Sequence, residues 1–129
     1  MKAKQYRAAV LSYSKAMGRA ETSRTFSLSA ANRSLALVRL DKHQAALEDI
    51  SLALEAGYPE QSRYKLMERR AKCLLHLGQY REAEESLRTG LASLGETDGD
   101  EERLKARENM RRELERLMSG EEGEGRKER

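Results

Sequence analysis

The stretch YREAEESLRTGL, Tyr80 to Leu91, has the residue spacing of a helix that packs closely against other helices. Its small residues Ala83 and Gly90 lie two helical turns apart, and Leu87 falls between them on the same face. Small side chains let helix backbones approach one another, and larger apolar side chains fill the space beside the contact. The stretch therefore predicts one helix of a closely packed helical protein.

This pattern recurs twice upstream, each time 37 residues earlier in the chain. The earlier copies are YRAAVLSYSKAM, residues 6–17, and HQAALEDISLAL, residues 43–54. The repeating positions are small or apolar in every copy: Ala9, Ala46 and Ala83; Tyr13, Ile50 and Leu87; Ala16, Ala53 and Gly90. The helices that precede the second and third copies repeat with the same 37-residue step, so that Asn32 and Arg69 occupy equivalent positions. A repeated pair of antiparallel helices is therefore expected.

The repeat and its turn residues predict an all-α fold, a short α-solenoid of about two and a half helix pairs plus a C-terminal capping helix. Helices are expected at residues 3–18, 23–40, 44–56, 60–77, 80–94 and 100–118. The predicted regions are a half repeat at 1–18, full repeats at 22–58 and 59–95 (together the repeat region 1–95), the capping helix at 96–118 and a disordered charged tail at 119–129. Asp100 is expected to be the N-cap of the last helix.

Composition and charge argue against several classes of protein. The one cysteine, Cys73, rules out an internal disulfide and a Cys-rich zinc site. The net charge is +3, the excess of basic residues lies before Ala30, and aromatic residues are few, which together disfavour a nucleic-acid surface. No signal peptide and no membrane-spanning apolar run is recognisable, so a cytoplasmic or nuclear protein is expected.

The segment LGQYREAEESLRTGL, residues 77–91, resembles the second half of a tetratricopeptide repeat, or TPR. The resemblance extends from Tyr6 to Leu94, with Asp41 in place of the usual turn glycine and Gly90 in place of the usual alanine. It implies a protein-interaction module that binds a partner peptide in the groove lined by the first helix of each pair.

A narrower resemblance connects ANRSLAL, LEDISLALEAGYPE and YKLMERRAKCLLHLGQYREA to the SET and MYND domain-containing proteins, in their fourth, TPR-bearing group. Arg33, Asp49, Lys65 and Arg69 are among the residues that carry it. The resemblance implies a longer parent protein that is a protein-lysine methyltransferase, with S-adenosylmethionine and zinc as its cofactors. No MYND-type Cys/His cluster and no SET signature is recognisable here, so this chain is expected to have no catalytic activity and no cofactor of its own.

Asn32, Lys65 and Arg69 are the predicted peptide-binding residues. They resemble three of the five ligands of the carboxylate clamp with which TPR co-chaperones hold the acidic C-terminus of heat-shock chaperones. The two other ligands would lie on a helix before Met1. Arg donates two parallel hydrogen bonds to a carboxylate, Lys adds a point charge, and Asn donates without repelling a cation. The resemblance therefore implies an acidic partner peptide.

Two other interpretations of these residues are open from the sequence. Asn32 could bond a neighbouring turn, and Lys65 and Arg69 could be solvated charges paired with Glu68 or Glu60. At the level of the whole chain, two functions are expected: the non-catalytic TPR portion of a methyltransferase, or a stand-alone co-chaperone adaptor.

Self-association is a further expectation. With the first repeat present only as its second half, the N-terminal helix is expected to expose an apolar flank that includes Val10, Tyr13 and Met17. A second copy of the chain could cover this flank.

Overall fold

The computed structural model describes residues 2–95 and 100–120, and these residues form six α-helices without a strand. The helices are α1 (Lys2–Arg19), α2 (Ser23–Arg39), α3 (His43–Glu55), α4 (Arg63–His76), α5 (Tyr80–Leu94) and α6 (Glu101–Ser119). They pack as pairs of consecutive helices joined by short turns. The predicted fold class, an all-α helical repeat, is confirmed.

The helix bounds lie close to those expected from the turn residues, and α4 differs most. Its helix was expected from Glu60, whereas Glu60–Ser62 form a short 3₁₀ turn and α4 begins at Arg63. Pro59 immediately precedes this turn. A 3₁₀ turn is common at the beginning of an α-helix, and here it leads from the proline-containing loop into α4. Asp100 caps α6 as predicted, since its carboxylate accepts the Arg103 backbone N–H at 3.1 Å.

The chain divides into two compact units, and the first, residues 1–60, contains α1, α2 and α3. In this unit α2 packs against both α1 and α3. Ile50 and Ala53 of α3 are fully buried, and the Ser27 hydroxyl of α2 donates to the Ala53 carbonyl at 2.7 Å. The small residues at the repeating positions therefore allow close contact between α2 and α3, as the repeat indicated.

The helix α1 is less deeply buried than α3 at equivalent repeat positions. None of its residues is buried; Val10, Tyr13 and Met17 are half-buried, and Leu11 is 64% exposed. The apolar flank expected on this helix is therefore partly covered, because α1 packs against α2.

The second unit, residues 61–129, contains α4, α5 and α6. Here α5 packs against both α4 and α6. A Cβ atom on Gly90 of α5 would lie 2.9 Å from Met110 Sδ and 3.0 Å from Met67 Cβ. Glycine in place of the usual alanine therefore makes room for Met110 of α6 and Met67 of α4 at the same point of α5.

The turns after α2 and α4 show the repeat at the level of the backbone. Asp41 has φ 60°, and Gly78, which is 37 residues further on, has φ 76°. After α2, the Lys42 N–H donates to the Leu37 carbonyl at 2.9 Å, and the equivalent bond follows α4. This is a Schellman ending, which usually has glycine at the left-handed position, and Asp41 adopts the same conformation without being glycine.

The C-terminal part of the chain is described only as far as Gly120. Ser119 is the last residue of α6, and Gly120 ends the helix in a left-handed conformation with φ 87°. Residues 121–129 of the predicted tail and residues 96–99 of the predicted capping region lie outside the described residues. Among the described helices, none is both long and apolar enough to cross a membrane.

Candidate functional site

Two of the three predicted binding residues share a face of α4. Lys65 and Arg69 are one turn apart, and both are partly buried. Lys65 Nζ lies 3.6 Å from a carboxylate oxygen of Glu102 in the first turn of α6. The structure therefore pairs Lys65 with an acidic residue of α6, a partner that the sequence did not indicate.

The third predicted residue, Asn32, belongs to α2 in the first unit. Its side chain is exposed, next to Leu35, which is 39% exposed on the same helix. Among the described residues no hydrogen bond involves the Asn32 side chain. Asn32 therefore has the exposure that a binding residue needs, and its assignment to a binding site stays a prediction.

Arg103 holds the beginning of α6 against the rest of the second unit. Its guanidinium lies over the Tyr64 ring, 5.1 Å from the centroid, and donates to the carbonyls of Gln61 (2.7 Å) and Leu94. The Leu94 carbonyl is at the C-terminus of α5, where helix carbonyls lack intrahelical partners. Arg103 thus satisfies backbone groups of α5 and of the 3₁₀ turn before α4 at once, and it holds the beginning of α6 beside them.

A groove between α4 and α6 results from this placement, and we call it the α4–α6 groove. It encloses about 240 Å³. Its floor is apolar and consists of Ala71, Leu75, Leu87 and Met110, of which only Leu75 is partly exposed. Leu75 is therefore the apolar residue of this floor that presents surface to solvent.

The rim of the α4–α6 groove carries charges of both signs. Its members are Glu68 and Lys72 from α4, and Asn109, Arg112, Glu113 and Arg116 from α6. Glu113 Oε1 lies 3.4 Å from Arg116 Nη1. Glu113 Oε2 is buried and accepts no hydrogen bond within the described part of the chain. The rim therefore presents charges of both signs, whereas Glu113 Oε2 itself is closed off from solvent.

A bidentate ion pair between α2 and α3 was not anticipated from the sequence. Arg33 of α2 donates from Nε and Nη2 to the two carboxylate oxygens of Asp49 in α3, each at 2.7 Å. Its Nη1 donates to the Ser14 hydroxyl of α1 at 3.0 Å. The Asp49 side chain is only 3% exposed. Arg33 therefore links all three helices of the unit through charge-assisted bonds.

The same connection occurs in weaker form in the second unit. Arg70 lies 37 residues after Arg33, and Ser86 lies 37 residues after Asp49. Arg70 Nη1 is 3.2 Å from the buried Ser86 hydroxyl. The 37-residue step relates Arg33 to Arg70 and Asp49 to Ser86. It could therefore have indicated that the two pairs have the same structural role. The pairing was missed because the residues lie on different helices.

Cys73 is fully buried on α4, and its environment affects its pKa in two directions. Burial raises the pKa of the Cys73 thiol, and the positive charge of Arg69 lowers it to a smaller extent. The net effect is a raised pKa, so the folded chain favours the protonated thiol. Cys73 is thus a core residue, in keeping with its place in the repeat.

This raised pKa predicts a loss of stability in alkali. The stabilising contribution of the protonated thiol is complete below its ordinary pKa of 9.0 and is lost as the pH rises through the higher folded-state value. We expect the free energy of unfolding to fall more steeply above pH 9 in the natural chain than in Cys73→Ala. Urea titrations at a series of pH values measure both slopes, and parallel slopes would contradict the assignment.

The chain is similar in sequence to proteins described as Protein-lysine N-methyltransferase SMYD4. The Homo sapiens protein is 39% identical over 85 residues, which are 65% of this chain and 11% of that protein. The Danio rerio protein is 48% identical over 73 residues, 56% of this chain and 10% of that protein. The Gallus gallus protein is 41% identical over 83 residues, 64% of this chain and 11% of that protein.

The chain thus spans 10–11% of the length of these relatives. No protein-family model matches the chain, and no solved structure matches it. The resemblance indicated by the repeat helices is nevertheless confirmed by the level of identity and by the helical structure. The chain is accordingly a relative of one segment of SMYD4, a SET and MYND domain-containing protein.

Proposed function

We propose that this chain is a protein–protein interaction module, the non-catalytic TPR portion of a SET- and MYND-type protein-lysine methyltransferase. The observation that carries the proposal is the similarity of its repeated helix pairs to a segment of SMYD4. A helical repeat of this kind presents side chains from consecutive helices on one surface, which suits the binding of a partner chain. In a parent methyltransferase, such a module would hold protein substrates near the catalytic domain.

One face of α4 carries three basic residues, which supports a binding role for the second unit. Lys65, Arg69 and Lys72 follow one another along this helix at helical spacing, while the opposite side of α4 is buried. Positive groups held on a rigid helix are suited to carboxylates of a partner peptide. The α4–α6 groove lies beside them.

Selection of random dodecapeptides displayed on phage, with the full chain immobilised, tests the proposal. We expect peptides to be enriched on the natural chain and to bind much less to the Lys72→Glu variant. Lys15→Glu, at an exposed position of α1, is the control and should bind as the natural chain does. Failure to enrich any sequence, or equal binding to Lys72→Glu, would refute a peptide-binding role for this surface.

A second candidate function is a co-chaperone adaptor that binds the acidic C-terminus of a heat-shock chaperone. It is favoured by the positions of Lys65 and Arg69, one turn apart on α4. Fluorescence anisotropy with the peptide Met-Glu-Glu-Val-Asp measures it directly. We expect Arg69→Ala and amidation of the peptide C-terminus each to weaken binding about tenfold, because each removes a charge-assisted hydrogen bond. Equal affinity in all three cases would exclude the carboxylate clamp.

A further inference from the structure

We propose that one side of α1, formed by Ala9, Ser12 and Ala16, binds an α-helix of a partner protein that has the contact pattern of α2 and α4. We call this surface the open side of α1. The proposal goes beyond the proposed function, because it concerns the first unit and not the surface of α4. Three features of the chain determine the ligand: the burial of the equivalent residues, the arginine of each preceding helix, and the charge of α1.

The open side of α1 corresponds to a helix contact in both later copies of the repeat. The equivalent residues, one and two 37-residue steps further on, are Ala46, Asp49 and Ala53 of α3, and Ala83, Ser86 and Gly90 of α5. All six are buried. On α1, by contrast, Ala9 is half-buried, and Ser12 and Ala16 are exposed. The open side therefore presents to solvent the type of surface that α3 and α5 bury.

The helix that covers this surface in each full repeat is the one directly before it. On α3, the Ala53 carbonyl accepts the Ser27 hydroxyl of α2 at 2.7 Å. On α5, a Cβ atom at Gly90 would lie 3.0 Å from Met67 Cβ of α4. Both contacts bring two helix backbones close together, and small residues on the open side permit the same approach. A helix is therefore the ligand that matches its shape.

An arginine of the preceding helix bonds the middle residue of this surface in both full repeats. Arg33 donates to the Asp49 carboxylate at 2.7 Å, and Arg70 donates to the Ser86 hydroxyl at 3.2 Å. Ser12 occupies the equivalent position on α1 and is exposed. Its hydroxyl is an acceptor of the same kind as that of Ser86. The partner helix is therefore expected to carry an arginine that bonds Ser12.

The charge of α1 determines the outer side chains of the partner helix. Among the 18 residues of α1 are five Lys or Arg and no Asp or Glu. Two of the five, Lys15 and Arg19, are exposed and follow Ser12 by about one and two turns. Acidic residues of a partner helix would be attracted to them, whereas the α1 helix of a second copy would be repelled. The charges therefore favour an acidic helix of a different protein.

Fluorescence anisotropy with the full chain tests this ligand chemistry. The probe is a fluorescein-labelled, C-terminally amidated peptide with the sequence of α2, residues 23–39, in which Glu replaces the residues at the exposed positions 24, 32, 35 and 39. It keeps the small contact residues of α2 and the arginine at position 33. We expect saturable binding, about tenfold weaker when Ala replaces this arginine, because a charge-assisted hydrogen bond is lost. Equal binding of the two peptides would overturn the proposal.

Replacement of Ser12 by Asp should strengthen binding, because it recreates the acceptor of the first full repeat. In that repeat Asp49 receives two bonds of 2.7 Å from Arg33. We expect Ser12→Asp to bind the arginine-containing probe about tenfold more tightly and the alanine-containing probe no more tightly than the natural chain does. A gain of the same size with both probes would show that the arginine does not bond this position and would refute the arrangement.

Two exposed alanines of α1 provide a matched pair of variants. Ala16 belongs to the open side, whereas Ala8 lies outside it. We expect Ala16→Leu to weaken binding of the probe more than tenfold, because the larger side chain prevents close approach of the two helices. Ala8→Leu should change binding less than twofold. Circular dichroism verifies that both variants retain their helices, and equal effects of the two substitutions would refute the site.

The outcomes also separate this proposal from the proposed function and from a second copy as ligand. Phage-selected peptides that bind the natural chain and not Lys72→Glu, together with no binding of the α2-derived probe, would retain the function and refute the open side. Binding of the probe that is unchanged in Lys72→Glu supports a separate surface on α1. Dimers in sedimentation velocity that Ala16→Leu dissociates would assign the open side to a second copy and overturn the proposal.

Discussion

Replacement of Asp49 by Ala is expected to lower the free energy of unfolding by about 2 to 4 kcal/mol. Asp49 is 3% exposed and accepts two bonds of 2.7 Å from Arg33. Without the carboxylate, the guanidinium remains in a site where only 24% of the Arg33 side chain reaches solvent. The charge keeps one bond, to the Ser14 hydroxyl, which cannot neutralise it. Urea denaturation followed by far-UV circular dichroism measures the loss.

Two further substitutions serve as controls for Asp49→Ala. Asp49→Ser recreates the arrangement of the second unit, where Arg70 bonds the Ser86 hydroxyl, and should cost less than Asp49→Ala. Glu48, the preceding residue, is exposed, and Glu48→Ala should change stability by no more than about 0.5 kcal/mol. A loss for Glu48→Ala as large as that for Asp49→Ala would show that the ion pair is not the cause.

Replacement of Met110 by Ala is expected to cost about 2 to 4 kcal/mol in the second unit. Met110 is fully buried, and its Sδ atom would lie 2.9 Å from a Cβ atom placed on Gly90 of α5. Truncation removes apolar contacts and leaves a cavity that the rigid helix pair cannot close. Met110→Leu, which roughly conserves volume, is the control and should cost less than about 1.5 kcal/mol. Urea denaturation again gives the difference.

A double-mutant cycle with Gly90 tests whether this contact is specific. Gly90→Ala gains helix propensity, worth about 1 kcal/mol, but its Cβ would crowd Met110 and also Met67 Cβ at 3.0 Å. Overpacking costs about 1 to 3 kcal/mol, and Met67 Cβ cannot swing away because it is next to the backbone, so a net loss is expected. The loss should shrink in the Met110→Ala background. Strict additivity would contradict the contact.

The helical fold could be predicted from the sequence because its information is local and repeated. Helical spacing of Ala46, Ile50 and Ala53 indicates which face of α3 is buried, and the 37-residue step shows that the pattern is not accidental. The turn after α2 was predicted at Asp41, although Asp41 stands where the repeat usually has glycine. Asp41 adopts the same left-handed conformation as Gly78, one repeat later.

The candidate site was less predictable because it depends on α6, which does not follow the repeat. Lys65 lies on α4 one turn before Arg69, and nothing in the sequence connects it with Glu102, 37 residues away on a helix of different pattern. The α4–α6 groove likewise requires the position of Met110 relative to Ala71. That position depends on the packing of Met110 against α5 and on the bonds of Arg103 to backbone carbonyls, which any residue type would present.

By itself, the sequence determined the helices, the buried face of most of them, and the kinship with a segment of SMYD4. These follow from the spacing of residues along one segment of the chain, because the helical period determines which residues share a face. Only the tertiary structure decided that Arg33 bonds Asp49 and that α6 leaves a groove beside α4. Such contacts depend on the distance between side chains of different helices, and residue spacing within a helix does not specify that distance.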